Sequence, residues 1–247
     1  MHSLLTTLLF AAATLGAGQA FAAEKARIVL VHGAFADETS WDKVAAILKA
    51  KGFAVAQVAN PLTSLQDDVA ATKAALDAQA GPIVLVAHSW GGMVIGEAGN
   101  HPKVKALVYV SAFGPDKGES LVKLQEAGAP SEGSKAIRPN AQGGLIFDTA
   151  AFPALFAGDL PKAEAEAMAA RQLPSNPANF AAAAEVAAWH DKPTYFVVTT
   201  EDKVIPPDAQ RFFASRMKAE VTEIAASHAG LVSHAEDVAK VIEQAAQ

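Results

Sequence analysis

Ser89 ends the apolar run Val84-Leu85-Val86-Ala87-His88 and is followed by Trp90-Gly91-Gly92 and a helical pattern. That is the layout of a nucleophile elbow, a sharp strand-to-helix turn that holds a serine hydroxyl clear of a sheet. The backbone there is crowded, so the residues two before and two after the serine must be small. Here they are Ala87 and Gly91; the G-x-S-x-G form has glycine at the first of these, and Ala87 departs from it mildly. A serine hydroxyl is a poor nucleophile until a base removes its proton, and the base needs a carboxylate to orient it and stabilise its cation. Ser89 therefore calls for an acid and then a histidine at later strand ends, in that order along the chain.

Both are present. Asp202 follows the run Thr199-Thr200-Glu201, and His228 follows Ser227 after the last short apolar run. Competing acids are the neighbouring Glu201, Asp116 after an earlier strand, and Asp208, which reads as a cap of the next helix. Among seven histidines, His228 has the best placement for a base. His234 falls at a helix start, and His101 in a turn before Pro102. His88 adjoins the nucleophile but points away from its hydroxyl. His190 lies where it lines a pocket, together with Phe35 and Phe113.

An acyl-transfer intermediate also puts negative charge on the former carbonyl oxygen, which preorganised N–H donors must meet. One donor is the backbone N–H of Trp90. The other falls in His32-Gly33-Ala34-Phe35, the loop after the first strand, with Ala34 the candidate, Gly33 permitting the turn and the His32 ring holding the loop. The histidines lack the i, i+4 spacing around a glutamate, there are no cysteines, and the glycines near Ser89 form neither a dinucleotide nor a phosphate loop. No metal and no cofactor is expected.

The elements that must position these groups alternate strand and helix, the signature of a doubly wound, mostly parallel α/β sheet covered on both faces. Strands are expected at 28–31, 53–58, over the run 84–88 opened by Gly81-Pro82, and at 104–110, 194–200 and 221–224, and helices at 40–51, after Ser64, after Ser89 and at 208–218. Ser233 with Glu236 reads as a capping box for a closing helix. Between about 113 and 190 the alternation stops, Pro and Gly cluster and alanine-rich stretches appear. This reads as an insertion of two or three helices with no strong strand, a small helical lid over the sheet. Loops at the carboxyl ends of parallel strands share one edge, so Ser89, Asp202 and His228 can converge there.

A chain of 247 residues, about half of them hydrophobic, buries a substantial core in one domain. The net charge of −6 and the absence of any Lys/Arg block argue against a nucleic-acid partner. Residues 4–17 are apolar and are followed by Ala20-Phe21-Ala22, which presents small residues where a signal peptidase reads. Residues 1–22 are therefore expected to be a signal peptide and 23–247 the mature domain, periplasmic or secreted. Only His2 stands where a lysine or arginine is usual, and a membrane anchor or a helix of the fold is the alternative reading. No later run is long enough to span a bilayer. No signature of a particular oligomeric state is present.

Taken together, the motifs 28–35, Trp41, Asn60-Pro61-Leu62-Thr63-Ser64-Leu65, His88-Ser89-Trp90-Gly91-Gly92, Thr200-Glu201-Asp202-Lys203 and Ser227-His228 resemble the α/β-hydrolase superfamily. More narrowly, they are similar to bacterial proteins related to the plant methylesterase and hydroxynitrile lyase branch. The resemblance implies Ser89 as nucleophile, His228 as base, Asp202 as acid and the Ala34 and Trp90 N–H groups as oxyanion donors. It also implies a small-molecule ester as substrate. Plant hydroxynitrile lyases carry a lysine directly after the catalytic histidine; here that residue is Ala229, which favours hydrolysis over cyanohydrin cleavage. Two rival classes remain at this level: a lyase or cofactor-free oxygenase using the same triad, and a non-catalytic binding module. The fold hosts many chemistries, so the site and not the fold must decide.

Overall fold

The computed structural model describes residues 25–126 and 130–247; the expected signal peptide lies outside them. The chain runs through β1 (Arg27–Val31), a 3-10 turn at Glu38–Trp41, α1 (Asp42–Ala50), β2 (Val55–Val58), α2 (Leu65–Asp77), β3 (Ile83–His88), α3 (Gly91–Ala98) and β4 (Val104–Val110). It then leaves the sheet through α4 (Leu121–Glu126), β5 (Ile137–Pro139), β6 (Leu145–Phe147), α5 (Phe152–Leu155), α6 (Lys162–Arg171) and α7 (Ala178–Ala181). It returns as β7 (Thr194–Thr199), α8 (Pro207–Arg216), β8 (Glu220–Ile224), α9 (Gly230–Ser233) and α10 (Ala235–Ala245). Among the described residues no helix is long and apolar enough to cross a membrane.

Six strands form one parallel sheet in the order β2-β1-β3-β4-β7-β8. β3 is buried at every position, as its unbroken apolar run requires of a strand covered on both faces. The chain steps outward from β1 to β2 and then back across to β3. Right-handed crossovers therefore set α1 on one face and α2 on the other. α1 packs on α10, and α2 on α3. The strand order reverses at β1 and β3, and the crevice at their carboxyl ends is where such sheets bind ligands. Register places Val31 beside Ala87, His88 beside Val110 and Thr199 beside Ile224, so the loops after these strands open at one edge.

Local chemistry explains two of the helix starts. Ser64 caps α2 by accepting the Asp67 N–H, and Asp67 and Asp68 sit in the first turn, where the helix dipole favours negative charge. The helix expected from residue 40 begins instead as the 3-10 turn, because Asp37 accepts the Thr39 N–H and caps that turn.

Two other expectations are corrected. The insertion does contain strands: β5 and β6 form an antiparallel hairpin turned by Asn140, whose side chain accepts the Gln142 and Gly144 N–H groups. Each strand is three residues long and one ends in proline, too short for an alternating pattern to register. The capping box at Ser233 does not form. Its hydroxyl instead donates to Asp159 of the insertion at 2.6 Å, the helical run is interrupted at His234, and α10 starts without a side-chain cap.

Candidate active site

Ser89 occupies the turn between β3 and α3 with φ of 53°, the left-handed region that a non-glycine residue enters only when its surroundings impose it. Backbone on three sides imposes it here. A Cβ on Gly92 would stand 1.9 Å from the Phe113 carbonyl oxygen, one on Gly91 2.8 Å from that of Val31, and one on Gly33 2.7 Å from Cβ of Ser89. Any side chain at these positions pushes the turn away from the sheet. The Ser89 carbonyl accepts N–H groups from Gly92 at 3.0 Å and Phe113 at 3.2 Å, which ties the turn to α3 and to the strand beside it.

The Ser89 hydroxyl lies 2.9 Å from Nε2 of His228, and Nδ1 of the same ring lies 2.7 Å from Oδ2 of Asp202. His228 and Asp202 side chains are fully buried and Ser89 is 6% exposed. Nδ1–H donates to the carboxylate, so Nε2 presents its lone pair to the serine proton.

Asp202 is held as an acceptor on all sides. Oδ1 takes the Val204 and Ile205 N–H groups at 2.7 and 2.9 Å. Oδ2 takes Nε2–H of Gln210 at 2.9 Å and the Thr199 hydroxyl at 3.1 Å in addition to the imidazole. Ser111, at φ of 46° after β4, shares a hydrogen bond with the Thr199 hydroxyl. Gln210, Thr199 and Ser111 were missed from sequence. A glutamine on an amphipathic helix reads as a solvated residue, and only packing shows that it is fully buried.

The loop after β1 reaches the same edge. Asn60 donates its N–H to Nε2 of His32 at 3.0 Å, so Nδ1–H of His32 donates to the Gly33 carbonyl at 2.8 Å. Burial holds the His32 pKa below the ordinary histidine value, which keeps this tautomer neutral. Ala34 and Trp90 are both buried, and neither backbone N–H meets a backbone acceptor among the described residues. The Trp90 indole N–H donates to Asp68 at 2.8 Å, and Asp68 also accepts the Leu62 N–H at 2.8 Å. Burial raises the Asp68 pKa against those two bonds. Phe180 stacks beside the indole.

His88, beside the nucleophile in sequence, has a place of its own. Its ring lies 4.6 Å from that of His228, and its Nε2–H donates to the His228 carbonyl at 2.9 Å. Burial, and then the neighbouring His228, hold its pKa well below the ordinary value, so it adds no positive charge beside the imidazole.

The remaining expected residues divide. Phe113 lines a cavity of about 430 Å³ with Val204, Ile205, Pro206 and Phe213. Phe35, at φ of 59°, packs its ring against Phe147 and Phe180. His190 is not brought to the trio. Its ring stacks on Trp189 and pairs with Asp116 at 3.0 Å where both side chains are exposed, because the 3-10 turn at Ala188–His190 turns the tryptophan inward. That pairing also removes Asp116 as an acid for His228. Asp208 is exposed and pairs with Arg211, and Glu201 is exposed.

A strained serine between strand and helix, a buried imidazole and a carboxylate at one edge of a parallel sheet define a class. Residues 28–241 match the model of the alpha/beta hydrolase family, and the chain belongs to that family. It is 28% identical over 207 residues to a probable hydrolase, R7, of Phoma sp. (strain ATCC 20986 / MF5453), covering 77% of this chain and 83% of that one. It is 32% identical over 121 residues to a carbendazim hydrolyzing esterase of Nocardioides sp. (strain SG-4G), covering 43% and 50%. The crystal structure of polyneuridine aldehyde esterase matches with a TM-score of 0.76 at 21% identity, over 91% of this chain and all of the other. The resemblance to the α/β-hydrolase superfamily is borne out.

Proposed function

We propose that this chain is a serine esterase that cleaves a small, apolar carboxylic ester through an acyl-enzyme on Ser89. The observation that carries the reading is the unbroken line of hydrogen bonds from Asp202 through His228 to Ser89, 2.7 and 2.9 Å long. As the Ser89 oxygen attacks the carbonyl carbon, Nε2 of His228 takes its proton, and Asp202 stabilises the resulting imidazolium. The Trp90 and Ala34 N–H groups meet the oxyanion, an interaction worth about 3 kcal/mol of barrier per donor. His228 then protonates the departing alcohol, and water attacks the acyl-enzyme by the same route in reverse. The apolar cavity beside Phe113 and Ile205 adjoins the acid loop and suits the hydrocarbon part of such an ester. The relative named as an esterase supports hydrolysis. The expected signal peptide supports a periplasmic or secreted location, which fractionation of cells expressing the full chain tests.

A fluorophosphonate probe tests the chemistry. Labelling of the folded protein that disappears in Ser89→Ala, with turnover of short p-nitrophenyl esters, is the expected result. Folded protein that takes no label overturns the reading in favour of a binding module. Label without ester turnover overturns it in favour of a lyase.

A further inference from the structure

The loop that carries His228 is short, running from the end of β8 at Ile224 to the start of α9 at Gly230. What holds it comes from the insertion. Phe152 and Phe156 stack with ring centroids 4.3 Å apart, and Phe147 meets both edge-on at 5.6 Å. All three rings are buried, which anchors the segment from Phe152 to Asp159. From that anchored segment two residues reach the loop on either side of the histidine. The Phe156 carbonyl accepts the Ala229 N–H at 3.0 Å. Oδ2 of Asp159 accepts the Ser227 N–H at 3.0 Å and the Ser233 hydroxyl at 2.6 Å, and its Oδ1 accepts the Ser227 hydroxyl. The Phe156 ring stands edge-on to the His228 imidazole at 4.6 Å.

We propose that Asp159 is a positioning residue for His228: from the insertion it holds the backbone directly before the histidine so that the imidazole faces the Ser89 oxygen. The proposal rests on the reading of His228 as the general base. Asp159 touches neither Ser89 nor the His228 ring, so its action runs through Ser227. Burial opposes the charge on Asp159, but the Ser227 and Ser233 hydroxyls and the Ser227 N–H outweigh it and keep the carboxyl ionised. Hydrogen bonds to an ionised acceptor are roughly twice as strong as neutral ones. The orientation matters because misplacing a reacting group by about 1 Å lowers a rate by about 100-fold. The insertion thus completes the site as well as covering it.

The test compares Asp159→Ala, Asp159→Asn and His228→Ala in the full chain. It reads kcat and KM on a short p-nitrophenyl ester and the downfield proton resonance of His228 Nδ1–H. Asp159→Ala is expected to lower kcat about 10- to 100-fold with KM nearly unchanged, and to shift or broaden that resonance. Asp159→Asn is expected to recover most of the rate, since its amide oxygen accepts the Ser227 N–H and its amide N–H meets the Ser227 hydroxyl. Should the alanine variant not fold, Asp159→Glu keeps the charge, displaces the oxygens by one methylene and is expected to show the same loss in kcat. Wild-type kcat and resonance in the folded alanine variant, or in Asp159→Glu where it stands in, overturn the proposal. Equal losses in the alanine and asparagine variants do the same. Wild-type turnover in His228→Ala sinks the reading of the base itself, whereas an inactive His228→Ala beside an unaffected Asp159→Ala sinks only the positioning role.

Discussion

The oxygen of Asp202 that faces His228 also accepts the side-chain N–H of Gln210, at 2.9 Å against 2.7 Å for the imidazole. Gln210 accepts the Thr199 N–H at 3.0 Å and donates to the Ile205 carbonyl at 2.8 Å, so one buried amide joins β7, the acid loop and α8. Replacing it with leucine is predicted to destabilise the protein by about 1–3 kcal/mol for each buried partner left unpaired. Urea unfolding measures that loss. The same variant is predicted to lower kcat more than it raises KM, because it loosens the acid without touching substrate. An unchanged kcat would show that Asp202 keeps its place without this support.

Asp202→Asn is predicted to lower kcat by roughly 10⁴-fold, as loss of the acid does in other triads. The substitution also carries a cost to folding, because all the partners of Asp202 donate. An amide N–H among them faces another donor wherever it is turned, so a fall in melting temperature accompanies the loss of turnover. Calorimetry beside steady-state kinetics checks both, and an unshifted melting transition would refute the second.

Gly33 offers a test of the oxyanion loop that a backbone donor does not allow directly. Its Cβ would meet Cβ of Ser89 at 2.7 Å and the His88 ring at 3.1 Å. Both neighbours are fixed by the elbow, so the loop must give way and carry the Ala34 N–H with it. Gly33→Ala is predicted to lose about 100- to 1,000-fold in kcat, the range seen when one oxyanion donor is removed. A wild-type rate would place the second donor elsewhere.

His32 and His88 set a pH dependence of stability. Both are held neutral in the folded state with depressed pKa values, mainly by burial, whereas in the unfolded chain they titrate near the reference value of about 6.5. Below that pH the unfolded chain takes up protons that the folded one refuses. Stability is therefore complete above about 6.5 and lost progressively as pH falls, by up to about 1.4 kcal/mol per pH unit for each histidine. Unfolding free energies between about pH 8 and 5 measure the slope, and His88→Gln is predicted to halve it. A flat profile would mean that neither ring stays neutral.

Much of the site was legible because its signals are local. Ser89 sits between an apolar β-branched run and paired glycines, and small residues around an elbow are needed whatever the rest of the chain does. Asp202 and His228 follow strand ends, and parallel strands carry their carboxyl ends to one edge. The misreadings share a cause in contacts made far along the chain. Ser233 has the spacing of a cap, but Asp159 takes its hydroxyl from 74 residues away. His190 lies in the right stretch for a pocket, yet Trp189 takes the inward position and leaves it with Asp116. The β5–β6 hairpin is too short to show a period.

Residue order by itself determined the alternating α/β plan, the strand-to-helix turn that carries Ser89 and the order in which Asp202 and His228 follow it, since these depend on side-chain type and on neighbours a few positions away. Only the tertiary structure decided which carboxylate meets the imidazole, which donors hold that carboxylate, and that the insertion grips the histidine loop through Asp159 and Phe156. Those choices rest on hydrogen bonds a few ångströms long between segments tens of residues apart, and close approach in space leaves no mark on spacing along the chain.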